Sequence, residues 1–120
     1  MPKILVIDDE LNLRNVMKCN LTASGYVVTT AENGEEGLRA ARKNKPDLIV
    51  LDVKMPGMSG WDVLTNMRNT LKLRQVPVLI ATAYLSPSDE ERTKEVGVCY
   101  IAKPFNVSEL LAQVKKALGE

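Results

Sequence analysis

Asp8, Asp9, Asp52 and Lys103 each follow a short, strongly apolar run: Ile4-Leu5-Val6-Ile7 before the two aspartates, Leu48-Ile49-Val50-Leu51 before Asp52, and Tyr100-Ile101-Ala102 before Lys103. Such runs, rich in β-branched residues, predict strands buried on both faces of a parallel sheet. A charge just past such a strand lies at the carboxyl edge, where open α/β folds bind ligands. Three carboxylates gathered there repel one another unless a cation sits among them. Hard oxygen donors with no histidine or cysteine favour magnesium over zinc. Thr82 ends another apolar run. Its hydroxyl and the Lys103 ammonium suit phosphoryl oxygens. The chemistry these residues point to is a divalent cation beside a phosphoryl group.

The elements that must position them are legible. Strands are predicted at Lys3 to Asp8, Tyr26 to Ala31, Asp47 to Asp52, Val76 to Thr82 and Val98 to Ala102. Helical spacing of Leu13, Val16, Met17 and Leu21, of Val63, Leu64 and Met67, and of Val107, Leu110, Leu111, Val114 and Leu118 marks apolar helix faces between and after them. Four helix starts carry a capping side chain three residues before an acid: Asn33 with Glu36, Ser59 with Asp62, Ser86 with Asp89, and Asn106 with Glu109. Gly25, Gly97 and Gly119 fit helix ends. Strictly alternating strands and helices predict a parallel sheet covered on both faces. The fourth helix, Pro87 to Val96, has almost nothing to bury. It reads either as a solvated surface helix or as an element held loosely enough to move.

Bulk properties narrow the function. A chain of 120 residues, 45% hydrophobic and 26% charged, is expected to form one domain over residues 1–120. A net charge of +1, with no basic block, argues against direct nucleic-acid binding. The amino terminus has no signal-peptide pattern and no stretch suits a membrane span, so the expected location is cytoplasmic. Cys19 and Cys99 are expected as half-buried thiols, and the N-x-S/T triplets at Asn20 and Asn106 carry no weight without secretion. The chain contains no histidine, which excludes a Ser-His-Asp triad, a histidine zinc site and a histidine phosphocarrier. Any histidine in the mechanism must come from a partner.

Over nearly its whole length the chain resembles the receiver domains of two-component response regulators. The matching features are Ile7-Asp8-Asp9-Glu10, Asp52 followed by Met55-Pro56-Gly57-Met58-Ser59-Gly60, Thr82-Ala83, and Lys103-Pro104-Phe105. The resemblance implies a flavodoxin-like, doubly wound α/β fold with a five-stranded parallel sheet in the order 2-1-3-4-5. It implies that Asp52 is the phosphoacceptor for a phosphohistidine on a sensor histidine kinase or histidine phosphotransfer protein. Asp9 would be a direct Mg2+ ligand, Asp8 would act through water, and the backbone carbonyl of Lys54 would complete the protein ligands. Lys103, the Thr82 hydroxyl and the Ala83 amide would hold phosphoryl oxygens. Tyr100 matches the switching aromatic, turning inward when Thr82 moves toward the phosphoryl group and reshaping the face of the fourth helix, fifth strand and fifth helix. Lys54 and Tyr84 occupy two positions that vary in the family, and their size predicts slow self-dephosphorylation. The output would pass to a downstream effector protein or to a further output domain.

Other readings fit less well. A phosphatase of the haloacid dehalogenase type needs a second aspartate two residues after the first, and Lys54 stands there. A flavin carrier needs a hydroxyl- and glycine-rich loop where Asp8-Asp9-Glu10 stands, and no P-loop Gly-Lys-Ser/Thr occurs. The remaining alternative is a degenerate receiver that acts by binding alone. It conflicts with the intact set of Asp8, Asp9, Asp52 and Lys103.

Overall fold

The computed structural model describes residues 1–120. Strands and helices alternate as β1 (Lys3–Ile7), α1 (Leu11–Ala23), β2 (Val27–Ala31), α2 (Gly34–Asn44), β3 (Leu48–Leu51), α3 (Gly60–Arg68), β4 (Val78–Thr82), α4 (Pro87–Val96), β5 (Cys99–Ala102) and α5 (Val107–Leu118). The five strands are parallel in the order β2-β1-β3-β4-β5. This is the expected flavodoxin-like sheet. Its order makes β1 and β3 neighbours, with Ile7 opposite Leu51, so the residues after each strand meet at one edge. No helix is long and apolar enough to cross a membrane.

Strand alternation divides the core in two. Leu5, Ile7, Ile49, Leu51 and Ile80 face α2 and α3, where Leu38, Ala41, Val63, Leu64 and Met67 are buried. Ile4, Val6, Leu48, Val50 and Leu79 face α1 and α5, where Met17, Leu21, Leu110 and Val114 are buried. Both faces of β1, β3 and β4 are therefore covered, which is why these strands read as continuous apolar runs rather than alternating ones.

All four predicted caps form. The side chains of Asn33, Ser59, Ser86 and Asn106 accept the backbone N–H three residues on, and Ser59–Asp62 and Ser86–Asp89 are full capping boxes. Gly97 and Gly119 end α4 and α5 in the left-handed conformation. Lys45, not a glycine, does the same for α2 at φ 49°.

Three expected side-chain burials change. The buried face of α1 is Arg14, Met17 and Leu21, while Val16 is 54% exposed. Arginine at position 14 completes an i, i+3, i+7 stripe that apolar counting alone cannot see. Val107, in the first turn of α5, is also exposed. Cys19 is exposed and only Cys99 is half-buried; both are free thiols.

Helix α4 joins neither core half, and Thr93 is its one buried residue. Its capping box, a proline in its first turn and Gly97 define its ends. Its ties to α3 run through Trp61 and include a stack of the Arg92 guanidinium on the Trp61 ring, 4.7 Å from the centroid. Contacts of this kind are worth about 0.5–1 kcal/mol at exposed sites, against ~1.5–3 kcal/mol for one buried leucine or valine. The helix is weakly anchored, as its sequence suggests.

Candidate active site

Asp8 and Asp52 are fixed at the ends of adjacent strands by the sheet itself. The Asp8 N–H donates to the Ala31 carbonyl and the Asp52 N–H donates to the Ile7 carbonyl. Their side chains are nearly inaccessible, at 1% and 6% exposure for the two residues, while Asp9 is exposed. One carboxylate oxygen from each of Asp8, Asp9 and Asp52 lies within 4.8 Å of the other two. This acidic cluster is consistent with a divalent-cation site: three hard oxygen donors, two of them buried, in a cleft open through Asp9.

Lys103 is brought in from the end of β5. Its N–H donates to the Thr82 carbonyl at 2.8 Å, extending the sheet by one residue, and the Lys103–Pro104 peptide is cis. Its Nζ donates to Asp8 Oδ2 at 2.8 Å and to Asp52 Oδ2 at 3.2 Å. The second oxygens are also engaged: Asp8 Oδ1 accepts the Glu10 N–H at 2.9 Å, and Asp52 Oδ1 accepts the Lys54 N–H at 3.1 Å.

Burial pushes the Asp52 carboxyl above its ordinary range. The Lys54 N–H and the Lys103 charge pull it back, and the Asp8 charge pushes it up again. For Lys103, burial disfavours the ammonium. The hydrogen bond to Asp8 and the charges of Asp52 and Asp8 outweigh it, and the group is held above the usual lysine value. At neutral pH the site thus holds a firmly charged ammonium beside a carboxylate that is partly penalised by its own burial.

Thr82 closes β4 in a fully buried position, and its Oγ1 has no hydrogen-bond partner. An unpartnered buried hydroxyl costs about 1–3 kcal/mol, so it calls for a function. Ala83 follows it and lines a small cavity with Glu10, Leu13, Lys103, Pro104 and Phe105.

The floor beneath Asp52 depends on Gly60. Its N–H donates to the Val53 carbonyl at 3.0 Å, and a Cβ there would run into the Asp52 carbonyl and the Val53 backbone. Only glycine lets α3 start this close to the strand that carries Asp52.

Beside the cluster, Lys54 Nζ sits 4.9 Å from the centroid of the Tyr84 ring. Asp89, in the first turn of α4, is held below the usual carboxylate range by its capping hydrogen bonds to Ser86, with the Trp61 indole and the Lys54 charge adding to the effect. Tyr100 is not part of the cluster. It pairs with Ile80 in register and is 42% exposed.

The model for the response regulator receiver domain matches residues 4–115. The chain belongs to the response-regulator receiver family. The receiver is 37% identical over 123 residues to the polar-differentiation response regulator DivK of Brucella anthropi, covering 100% of this chain and 99% of DivK. It is 42% identical over 117 residues to a probable transcriptional regulator, ycf27, of Pyropia yezoensis, and 40% identical over 119 residues to the transcriptional regulatory protein KdpE of Mycobacterium tuberculosis. The alignments cover 97% and 98% of this chain but only 47% and 51% of those two proteins; the receiver spans about half their length.

Among solved structures, chemotaxis protein CheY4 of Vibrio cholerae superposes with a TM-score of 0.92 at 34% identity, with 98% of both chains covered. The receiver domain of a sensor histidine kinase from Pseudomonas aeruginosa, solved with a magnesium ion coordinated in its active-site cleft, superposes with a TM-score of 0.88 at 28% identity, covering 99% of this chain and 98% of that one. The cluster of Asp8, Asp9, Asp52 and Lys103 is a receiver active-site cluster of the kind that serves phosphorylation-dependent signalling.

Of the residues singled out in the sequence, Asp8, Asp9, Asp52 and Lys103 are brought together, Thr82 and Ala83 flank them, and Lys54 and Tyr84 pair at the rim. Sequence reasoning missed Arg14, whose buried guanidinium donates to the Asp8 carbonyl at 2.7 Å. Its spacing from Met17 and Leu21 was the available signal.

Proposed function

We propose that Asp52 is the phosphoacceptor of a two-component switch. The observation that carries this reading is the Lys103 ammonium bonded to both Asp8 and Asp52 at the sheet edge. A carboxylate oxygen of Asp52 attacks the phosphorus of a partner's phosphohistidine. The P–N bond breaks, its electron pair leaves with the imidazole, and an acyl phosphate forms on Asp52. Lys103 neutralises charge on the phosphoryl oxygens. The buried Thr82 hydroxyl donates to one of them and the Ala83 N–H to another. Phosphoryl transfer asks little more of a protein than this positioning and charge stabilisation.

Asp8, Asp9, Asp52 and the Lys54 backbone carbonyl would hold Mg2+, which supplies further neutralisation of the transferring group. The donor chemistry and the magnesium in the cleft of the similar Pseudomonas aeruginosa receiver support this choice of ion. Asp9 would be a direct ligand and Asp8 would act through water.

The switch runs through Thr82 and Tyr100. Drawing Thr82 toward the phosphoryl group leaves space into which the exposed Tyr100 ring turns. This changes the face formed by α4, β5 and α5. The weak anchoring of α4 keeps that face adjustable. The phosphoryl source is a sensor histidine kinase or a histidine phosphotransfer protein in the cytoplasm. The output goes to an effector protein, as for a free-standing receiver, or to an attached domain, as the longer regulators suggest.

The test is a pair of amide NMR spectra with magnesium, before and after phosphoramidate, a small donor with the P–N bond of a phosphohistidine. Shifts at Thr82, Ala83, Tyr100 and along α4 that vanish in Asp52→Asn support the reading. A phosphorylated wild type with unchanged α4 and Tyr100 signals overturns the switch.

A further inference from the structure

The turn that carries Asp8 and Asp9 lacks the usual helix support. Helix α1 is the one helix with no capping side chain, and its first turn holds no acid. The residue at its cap position, Glu10, instead gives its N–H to Asp8 Oδ1. The other end of the tie comes from inside the helix. Arg14 is buried, and its Nη1 reaches back to donate to the Asp8 carbonyl at 2.7 Å. All four polar groups of Asp8 are thereby fixed: N–H to Ala31, carbonyl to Arg14, Oδ1 to Glu10 and Oδ2 to Lys103.

A buried arginine is expensive to desolvate and is seldom retained for packing alone. Here a charged donor meets the peptide that links Asp8 to Asp9. We infer that Arg14 is a positioning residue for the acidic turn, holding Asp8 and Asp9 in the arrangement that accepts a divalent cation. Its guanidinium bonds the Asp8 carbonyl and no carboxylate of the cluster. It acts through the backbone of Asp8, as outer groups around metal sites commonly act through the ligands they orient. The inference rests on the reading of Asp8, Asp9 and Asp52 as the magnesium site.

Electrostatics makes the role separable from simple charge. Removing a cation from beside a magnesium site should tighten magnesium binding, because one repulsion is lost. Removing a positioning contact should weaken it. The experiment is calorimetric titration of MgCl2 into wild type, Arg14→Met and Arg14→Lys, each checked for fold by circular dichroism.

Arg14→Met is expected to raise the magnesium Kd about tenfold, the usual scale for losing an outer-shell partner. Arg14→Lys, which keeps a donor of similar reach, should recover most of it. At saturating magnesium the initial rate of Asp52 phosphorylation in Arg14→Met should return to within about twofold of wild type, since metal affinity and not the transfer step is affected. A folded Arg14→Met with equal or tighter magnesium binding overturns the role. Wild type that binds no magnesium defeats the metal-site reading, and the role with it.

A second measurement needs no variant. In wild type the Arg14 Nη protons should be resolved, protected from exchange and shifted by magnesium. Averaged, rapidly exchanging Nη signals that ignore magnesium also overturn the role.

Discussion

The ammonium of Lys54 rests on the ring of Tyr84, 4.9 Å from its centroid. Neighbouring Lys54 N–H is bonded to Asp52 Oδ1, so this pair stands directly beside the acceptor carboxylate. Two large side chains in contact there would narrow the approach of water in line with an acyl phosphate on Asp52. Lys54→Ala and Tyr84→Ala should each speed self-dephosphorylation. Loss of ~1 kcal/mol of barrier corresponds to about fivefold in rate. Decay of the phosphoryl adduct in a mass-spectrometric time course measures this; lifetimes equal to wild type in both variants would remove the idea.

Replacing the acceptor should stabilise the metal-free protein. Burial holds the Asp52 carboxyl above its ordinary range. A carboxyl raised in the folded state binds its proton there more tightly than in the unfolded chain. Ionising it therefore costs stability as pH climbs from the ordinary carboxylate range through the folded value, and the full cost applies at neutral pH. Asp52→Asn lifts that cost, and Lys103 keeps its 2.8 Å bond to Asp8. The expected gain is on the order of 1 kcal/mol, or about 4 °C for a domain of this size. Thermal melts from pH 7 downward should show the gain shrinking with acid. Asp52 is one of the groups that raise Lys103, so Asp52→Asn removes that attraction too; it is already part of the net upward shift of Asp52, and Lys103 stays charged across this pH range and adds no pH dependence of its own. Equal melting points at pH 7 would contradict the account of Asp52.

Magnesium and protons compete for the same carboxylate. Because Asp52 holds its proton to higher pH than an ordinary aspartate, magnesium affinity should begin to fall at correspondingly higher pH as the solution is acidified. At about 100 times the Kd, bound magnesium should add ~2.7 kcal/mol to wild-type stability. Asp9→Asn should lose much of that gain. Melts with and without MgCl2 across pH test both points, and a magnesium-dependent rise of the same size in Asp9→Asn would speak against Asp9 as a ligand.

Gly60→Ala should be disproportionately harmful for a single methyl group. The added Cβ meets the Asp52 carbonyl, and backbone cannot swing aside as a side chain can. The expected loss is about 1–3 kcal/mol. It should be accompanied by weaker magnesium binding, because the disturbed peptide is that of a site residue. Denaturant unfolding gives the first number and calorimetry the second.

Much of this was legible because the sheet writes it into the chain. Leu48 to Leu51 is continuous apolar sequence because β3 is covered on both faces, and Asp52 stands out for that reason. Ser59, Ser86 and Asn106 announce their helices because capping is local chemistry. The apolar run predicts a fourth strand from Val76, whereas β4 begins at Val78; Pro77 has no N–H to give the ladder. What was not legible depends on contacts across the fold. Arg92 meets Trp61 only because α4 lies against α3, and Arg14 meets the Asp8 carbonyl only because α1 folds back over β1. Apolar counting puts Val16 on the buried face because it cannot anticipate a buried guanidinium.

The measurement that reaches the central claim most directly is intact-mass spectrometry after incubation with acetyl phosphate. Wild type and Asp52→Asn are compared, with and without magnesium. The account predicts a single phosphoryl adduct that requires both magnesium and Asp52. A folded wild type with no adduct, or an equal adduct on Asp52→Asn, would contradict it.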